Sequence, residues 1–326
     1  MKSTFIALLI LAQCACVWAQ KSVKLDWQAL PPLLQAVGGH MSVWCDGKLF
    51  ILGGTDWKDG TKSTFSNVWT YSPKEKVWMS FPSLPQPLAY GVAKSTFEGI
   101  LVLGGLNQGK ASSQIYQITF GNNKSDWLPL NPFPFPMAFS GGGVIKEKIY
   151  VLGFIADSQD HQSAGAKLYS HNLEDNASKW VQLPSPPSDV QTNFASASTK
   201  DALYIFGGMA IKGDSVKNSD EAWVYYPTAR EWKRLHSLPI AARGIAACAI
   251  SERYILLAGG YSDTFLNQVL LYDCKNNIYS KLTPLPYAAM GMQMVYVKDC
   301  VYVSGGEDAP RHRSNLFFVG KLKDHS

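Results

Sequence analysis

Apolar residues along this chain come in short runs that end in glycine. The runs are Lys48-Leu-Phe-Ile-Leu-Gly-Gly, Ile100-Leu-Val-Leu-Gly-Gly, Lys148-Ile-Tyr-Val-Leu-Gly, Ala202-Leu-Tyr-Ile-Phe-Gly-Gly, Tyr254-Ile-Leu-Leu-Ala-Gly-Gly and Cys300-Val-Tyr-Val-Ser-Gly-Gly. A β-rich run of this length, closed by glycine, predicts a buried strand meeting a tight turn. The closing pairs, including a degenerate Gly153-Phe154, recur at intervals of roughly 50 residues. A second marker keeps step with the first. An aromatic residue precedes a leucine-proline pair six times: Trp27 with Leu30-Pro31, Trp78 with Leu84-Pro85, Trp127 with Leu128-Pro129, Trp180 with Leu183-Pro184, Trp232 with Leu238-Pro239 and Tyr279 with Leu285-Pro286. Two markers that agree in count and phase predict six copies of one supersecondary unit.

A repeat of this length and signature resembles the kelch motif, whose four strands form one blade of a β-propeller. The resemblance covers nearly all of the chain after the first twenty residues. It implies an all-β, six-bladed kelch-type propeller over residues 20–326. In kelch blades the repeated aromatic sits on the outermost strand and packs between neighbours, so these residues read as core rather than as sugar-stacking platforms. Phase then predicts how the ring closes. The segment around Trp27 is an outermost strand without a blade, and Ser314–Leu322 reads as a third strand without a fourth. Pairing the two completes the last blade and shields the edges that an open sheet exposes.

Residues 1–19 resemble a secretory signal peptide: Lys2 is the positive start, Phe5 to Ala12 the apolar stretch, and Val17-Trp18-Ala19 the small-residue cleavage site before Gln20. A periplasmic or secreted protein is expected. Leu11-Ala12-Gln13-Cys14 is a poor match to a lipoprotein signal. No segment is long and apolar enough to span a membrane. Four cysteines follow, Cys45, Cys248, Cys274 and Cys300, without metal-binding spacing. They read as mostly buried thiols with room for one bridge. The net charge of +5 comes from scattered basic residues. That argues against nucleic acid and suits a small anionic ligand. Asn123-Lys-Ser and Asn176-Ala-Ser are glycosylation sequons only in a eukaryotic secretory pathway.

In a repeat protein the shared residues build the scaffold, and function is sought where one copy departs. The residues just after the glycine pairs are Thr55, Leu106, Ile155, Met209, Tyr261 and Glu307. Only Glu307 is a carboxylate, and Arg311, His312 and Arg313 follow it. The residues entering the innermost strands are Gly39-His40, Tyr90-Gly91, Phe139-Ser140, Asn193-Phe194, Arg243-Gly244 and Met290-Gly291. Arg243 is the one arginine among them. An arginine at a narrowing channel reads as a fork for a substrate carboxylate, or as a structural pair with an acidic loop residue. His40, Tyr90 and Asn193 are candidates for hydroxyl or amide contacts.

Gly-Glu followed six residues later by arginine, just after a second strand, resembles the kelch-type N-acetylneuraminate (sialic acid) mutarotases, in a cyclically permuted arrangement. The resemblance implies Glu307 as a proton acceptor and Arg313 as its partner in a catalytic site. It implies α/β anomer exchange by acid–base ring opening, with a small anionic sugar as substrate and no cofactor. Other classes fit less well. A copper-radical oxidase needs paired histidines on channel loops, and a sialidase needs Ser-x-Asp-x-Gly-x-x-Trp boxes. No calcium loop, metal pair or nucleophile elbow stands out. The competing expectation is a non-catalytic secreted propeller that binds a carbohydrate or a protein, which fold alone does not exclude. The oligomeric state is left open.

Overall fold

A computed structural model describes residues 24–120, 126–175 and 177–323. The signal-peptide expectation, Asn123 and Asn176 lie outside these residues. The glycine-closed runs form the second strands of six antiparallel blades. Five are separate four-stranded sheets; the other, blade III, is four strands of a six-stranded sheet that also takes in the short hairpin of Leu106–Asn107 and Lys110–Ala111. Blade I runs from the channel outwards as Met41–Cys45, Lys48–Leu52, Val68–Ser72 and Val77–Phe81. Blades II to V repeat that order from Val92–Thr96, Gly141–Ile145, Ala195–Ser198 and Ala246–Ala249. Second strands bury nearly every side chain because both sheet faces meet a neighbouring blade; Leu52, Ile100, Leu152 and Leu203 are fully enclosed. Among the described residues no helix is long and apolar enough to cross a membrane.

Blade VI closes the ring as the phase predicts. Its order is Gln293–Val297, Cys300–Ser304, Phe317–Lys323, then the N-terminal strand Lys24–Ala29. The N-terminal strand runs antiparallel to the third strand, with Leu25 opposite Leu322 and Trp27 opposite Gly320. Leu25 is buried among Leu256, Leu271 and Val301, so closure also joins blades V and VI.

The repeated aromatics clamp the blades together. From the outer rim of one blade, five of the six donate to a carbonyl just past the outer strand of the preceding one. Trp78 Nε1 donates to the Pro31 carbonyl at 3.0 Å, Trp127 to Pro82 at 2.9 Å, Trp232 to Pro184 at 2.7 Å and Trp27 to Thr283 at 3.3 Å. The Tyr279 hydroxyl does the same to His236 at 2.8 Å. Trp180 instead packs edge-on against Phe133. These contacts support the core reading of the marker.

Blade III carries the degenerate pair, and its geometry departs accordingly. Elsewhere the second glycine takes φ near 104–110°, a region closed to other side chains. Phe154 cannot follow, so the strand runs on with an irregularity at Leu152/Phe154. The result is a long hairpin of Lys148–Asp157 and Asp160–Asn172. The four thiols are half-buried and free, so the room left for a bridge is not used.

Candidate functional site

Six residues, one per blade, form a closed ring of main-chain hydrogen bonds at one mouth of the channel. Gly39 N donates to the Gly291 carbonyl, Gly291 to Gly244, Gly244 to Asn193, Asn193 to Phe139, Phe139 to Tyr90, and Tyr90 back to Gly39, at 2.6–3.1 Å. All six have positive φ, between 52° and 64°. Glycine adopts that conformation freely. For Tyr90 and Phe139 it is strained, at a cost of about 1–3 kcal/mol each that the surrounding contacts must offset.

The ring corrects the alignment of the channel residues. Gly39, Tyr90, Phe139 and Asn193 are in register with Gly244 and Gly291, not with Arg243 and Met290. Arg243 occupies the preceding position, equivalent to Gly38, Ala89, Ala138, Thr192 and Met290. Its main chain bridges Tyr261, as Gly38 bridges Thr55 and Met290 bridges Glu307. Its guanidinium is held between blades IV and V: Nη1 donates to Asn218 Oδ1 at 2.8 Å, and the group lies 4.9 Å from the centre of the Tyr261 ring. Neither expectation for Arg243 matches this placement. It is not among the residues that line the mouth cavity described below, and its partner is an amide rather than an acid.

The other predicted residues converge. A cavity of about 290 Å³ at the mouth is lined by His40, Tyr90, Asn193, Glu307 and Arg313, with Trp57, Lys62 and Phe139. Two hairpins roof one side. Thr55–Lys58 pairs with Thr61–Thr64 in blade I, and Glu307–Ala309 pairs with His312–Arg313 in blade VI. The blade I hairpin turns at Asp59-Gly60 with φ of 51° and 76°, as its sequence favours.

Arg313 and Glu307 face each other across the blade VI hairpin and form an ion pair, their side chains 2% and 17% exposed. Arg313 Nε donates to Thr55 Oγ1 at 3.4 Å and Nη2 to Tyr90 Oη at 3.3 Å. Glu307 Oε1 also accepts from the Arg311 N–H at 3.2 Å. Gly38 and Gly39 make room for this cluster. A Cβ at Gly38 would stand 2.6 Å from Arg313 Cδ, and one at Gly39 would stand 2.2 Å from the Tyr90 ring. Tyr90 is the hub. Its ring stacks on Phe139 with centroids 4.1 Å apart, and Lys62 Nζ donates to its oxygen at 3.2 Å. Burial alone would raise the Tyr90 phenol, but Lys62, Arg313 and the hydrogen bonds from Thr55 and Lys62 outweigh it and hold the group below the usual tyrosine range.

His40 is buried between blades I and VI. Nε2 bonds to Ser304 Oγ at 2.9 Å, and Nδ1 has no partner. Burial pushes its pKa down to about 3, so the ring is neutral at physiological pH. The Asn193 Nδ2 has a weak contact at 3.7 Å with Met209 Sδ, which leaves most of the amide's capacity open to the cavity. Lys62 and Trp57 are missing from the sequence expectations, although Asp59-Gly60 between alternating residues marked their hairpin. Among the described residues, no group of three or more metal-ligating side chains comes together. A larger cavity, about 680 Å³, lies at the outer rim between blades II and III and carries none of the predicted residues.

Six four-stranded blades, doublet turns and a closed ring define a kelch β-propeller. Residues 93–306 match the family described as the KLHDC2/KLHL20/DRC7 Kelch-repeats domain, and residues 36–85 match the Kelch motif. The chain belongs to the kelch-repeat family. It is similar to Kelch-like protein 40 of Xenopus tropicalis, at 27% identity over 64% of this chain and 33% of that protein. It is similar to Kelch-like protein 36 of Bos taurus, at 26% identity over 82% of this chain and 43% of the relative. Beta-scruin of Limulus polyphemus is 27% identical over 69% of this chain and 24% of its own length. The chain thus spans well under half the length of these relatives.

Proposed function

We propose that this chain is a non-catalytic kelch propeller that binds an anionic sugar at the mouth of its channel. The observation that carries this reading is the arrangement around Tyr90. Lys62 is exposed, forms none of the described ion pairs, and stands over the rim of a cavity whose walls offer a phenol, an amide and aromatic surface. Glu307 argues against catalysis. Its carboxylate already accepts from Arg313 and from the Arg311 N–H, so part of its lone-pair capacity is committed inside the hairpin before a substrate hydroxyl reaches it. Membership of the kelch-repeat family is consistent with a binding role.

The second reading is the sialic acid mutarotase. It is favoured by the convergence of Glu307, Arg313, Tyr90, Asn193 and His40 on one cavity. One set of measurements separates the two. Calorimetry with N-acetylneuraminate and with neutral N-acetylmannosamine should show binding of the acid alone. Lys62→Met should weaken it roughly tenfold, the value of one charge-assisted contact. Proton NMR of freshly released α-N-acetylneuraminate should show no anomer exchange above buffer. Exchange that is accelerated by the protein, and that drops with Glu307→Gln, would replace the binding reading with the mutarotase. Absence of both binding and exchange would sink both.

A further inference from the structure

A second unpaired cation stands beside Lys62 at the mouth. Arg311 lies in the turn of the blade VI hairpin, between Glu307–Ala309 and His312–Arg313. Its guanidinium carbon is 5.3 Å from the centre of the Trp57 ring, which belongs to blade I. Lys62 Nζ is 6.0 Å from the same centre and 4.9 Å from that of Tyr90. Both residues are exposed, and neither takes part in an ion pair among the described residues. Hairpins from two neighbouring blades therefore bring two cations to one indole, and that indole lines the mouth cavity.

Strand alternation sets the nearby acids apart from this pair. Trp57 stands opposite Lys62 and Thr55 opposite Thr64, so the four share the hairpin face on which Thr55 meets Tyr90 and Arg313. Asp56 and Lys58, opposite Ser63 and Thr61, point to the other face, and Asp59 lies in the turn. In blade VI both acids are engaged, Glu307 by Arg313 and Asp308 by His312. The mouth side of the two hairpins thus sets Lys62, Arg311 and Arg313 against Glu307 alone. Two uncompensated cations drawn to one ring repel each other, and an anion between them turns that repulsion into attraction. A guanidinium resting on an aromatic face still has its in-plane donors free for a carboxylate.

We infer that Lys62 and Arg311 jointly hold the acidic group of the sugar across Trp57, which makes Arg311 a second determinant of selectivity for acidic over neutral sugars. The inference rests on the anionic-sugar reading of the mouth. Arg311 has φ of 58°, a conformation that glycine adopts freely, so Arg311→Gly removes the guanidinium without straining the turn. Calorimetry with N-acetylneuraminate should show roughly tenfold weaker binding in Arg311→Gly, the value of one charge-assisted contact, while Tm stays close to wild type. Arg311→Lys should recover part of the affinity. The double variant Lys62→Met/Arg311→Gly should bind N-acetylneuraminate no better than neutral N-acetylmannosamine. Lys58→Met, on the far face of the hairpin, should bind as the wild type does. Wild-type affinity in Arg311→Gly, or an equal loss in Lys58→Met, would overturn the inference and leave the anionic-sugar reading standing. Weaker binding that comes with a large fall in Tm would make Arg311 a structural brace on Trp57 and overturn it as well. A wild type that binds no acidic sugar sinks both.

Discussion

Arg313→Met tests whether the mouth is held together by one buried charge cluster. The substitution keeps an unbranched apolar stem and removes the guanidinium. Three contacts go with it: the ion pair to Glu307, the 3.4 Å bond to Thr55 and the 3.3 Å bond to Tyr90. Removing one member of a buried pair costs about 3–5 kcal/mol, because the partner charge stays behind without compensation. Glu307 is 17% exposed and keeps its bond from the Arg311 N–H, so water and that donor offset part of the loss. The expectation is therefore the lower end, about 3 kcal/mol. That is a large share of a domain stability of about 5–15 kcal/mol.

The assay is urea unfolding of the wild type, Arg313→Met, Glu307→Gln and the double variant. Glu307→Gln strands the more deeply buried Arg313 cation with only Thr55, Tyr90 and the glutamine oxygen as acceptors, so its cost should be at least that of Arg313→Met. In the double variant no stranded carboxylate remains. Its cost should fall short of the sum of the singles by about 1–3 kcal/mol, the range for residues in direct contact. Additivity within about 0.5 kcal/mol would mean that the two groups do not interact in solution. Glu307 would then be free to act as a base, and the main argument against catalysis would fail.

Other expectations follow from the same contacts. His40 titrates near 6.5 when unfolded and near 3 in the fold, so unfolded chains take up the proton first. Its contribution is fully present above about pH 6.5 and is lost as pH falls, by about 1.4 kcal/mol per unit while only the unfolded form is protonated. Acid unfolding of His40→Asn should be flatter than wild type across that window, and an identical slope would refute the buried-neutral assignment. Tyr90 ionises below the ordinary tyrosine value in the fold. One tyrosinate should therefore appear early in an alkaline absorbance titration, and Lys62→Met should delay it by removing a neighbouring cation. Trp78→Phe should cost about 1 kcal/mol more than Trp180→Phe, the worth of one hydrogen bond, since only Trp78 donates across the blade boundary; equal losses would discount the clamp. Deleting residues 24–31 should strip blade VI of its outer strand and lower Tm, and an unchanged melt would show that closure contributes nothing.

The scaffold was legible because the features that build it repeat. Six glycine-closed runs and six aromatic markers report the same burial six times, and their phase predicts the pairing of Leu25 with Leu322. The site was legible only where a residue broke the repeat. Glu307 stood out as a lone carboxylate, and the structure sets it against Arg313. Arg243 stood out just as clearly, yet it is not among the residues lining the mouth cavity. The cause is a register difference of one residue. Tyr90, Phe139 and Asn193 hold the ring position with side chains present, while Gly39, Gly244 and Gly291 hold it with none. A glycine at that position leaves no side chain to align, so the neighbouring Arg243 was matched to Tyr90. The available signal was the glycine itself, since Gly39, Gly244 and Gly291 each stand two residues before an innermost strand.

Closure links fold and site more tightly than stability alone requires. Arg313 bonds Thr55 across 258 positions of sequence and Tyr90 across 223. Those contacts exist because blade VI lies beside blade I, and blade VI is complete only when Lys24–Ala29 supplies its outer strand. Gly38 and Gly39 follow that strand after a short connector and vacate the space that Arg313 and Tyr90 fill. One stretch of chain therefore completes the last blade and then opens the mouth of the channel. An insertion or slip between Ala29 and Gly39 would leave the six sheets able to form while displacing the glycines from beneath Arg313. Damage there should show first in ligand binding and in the Tyr90 titration, and only later in the melting of the ring.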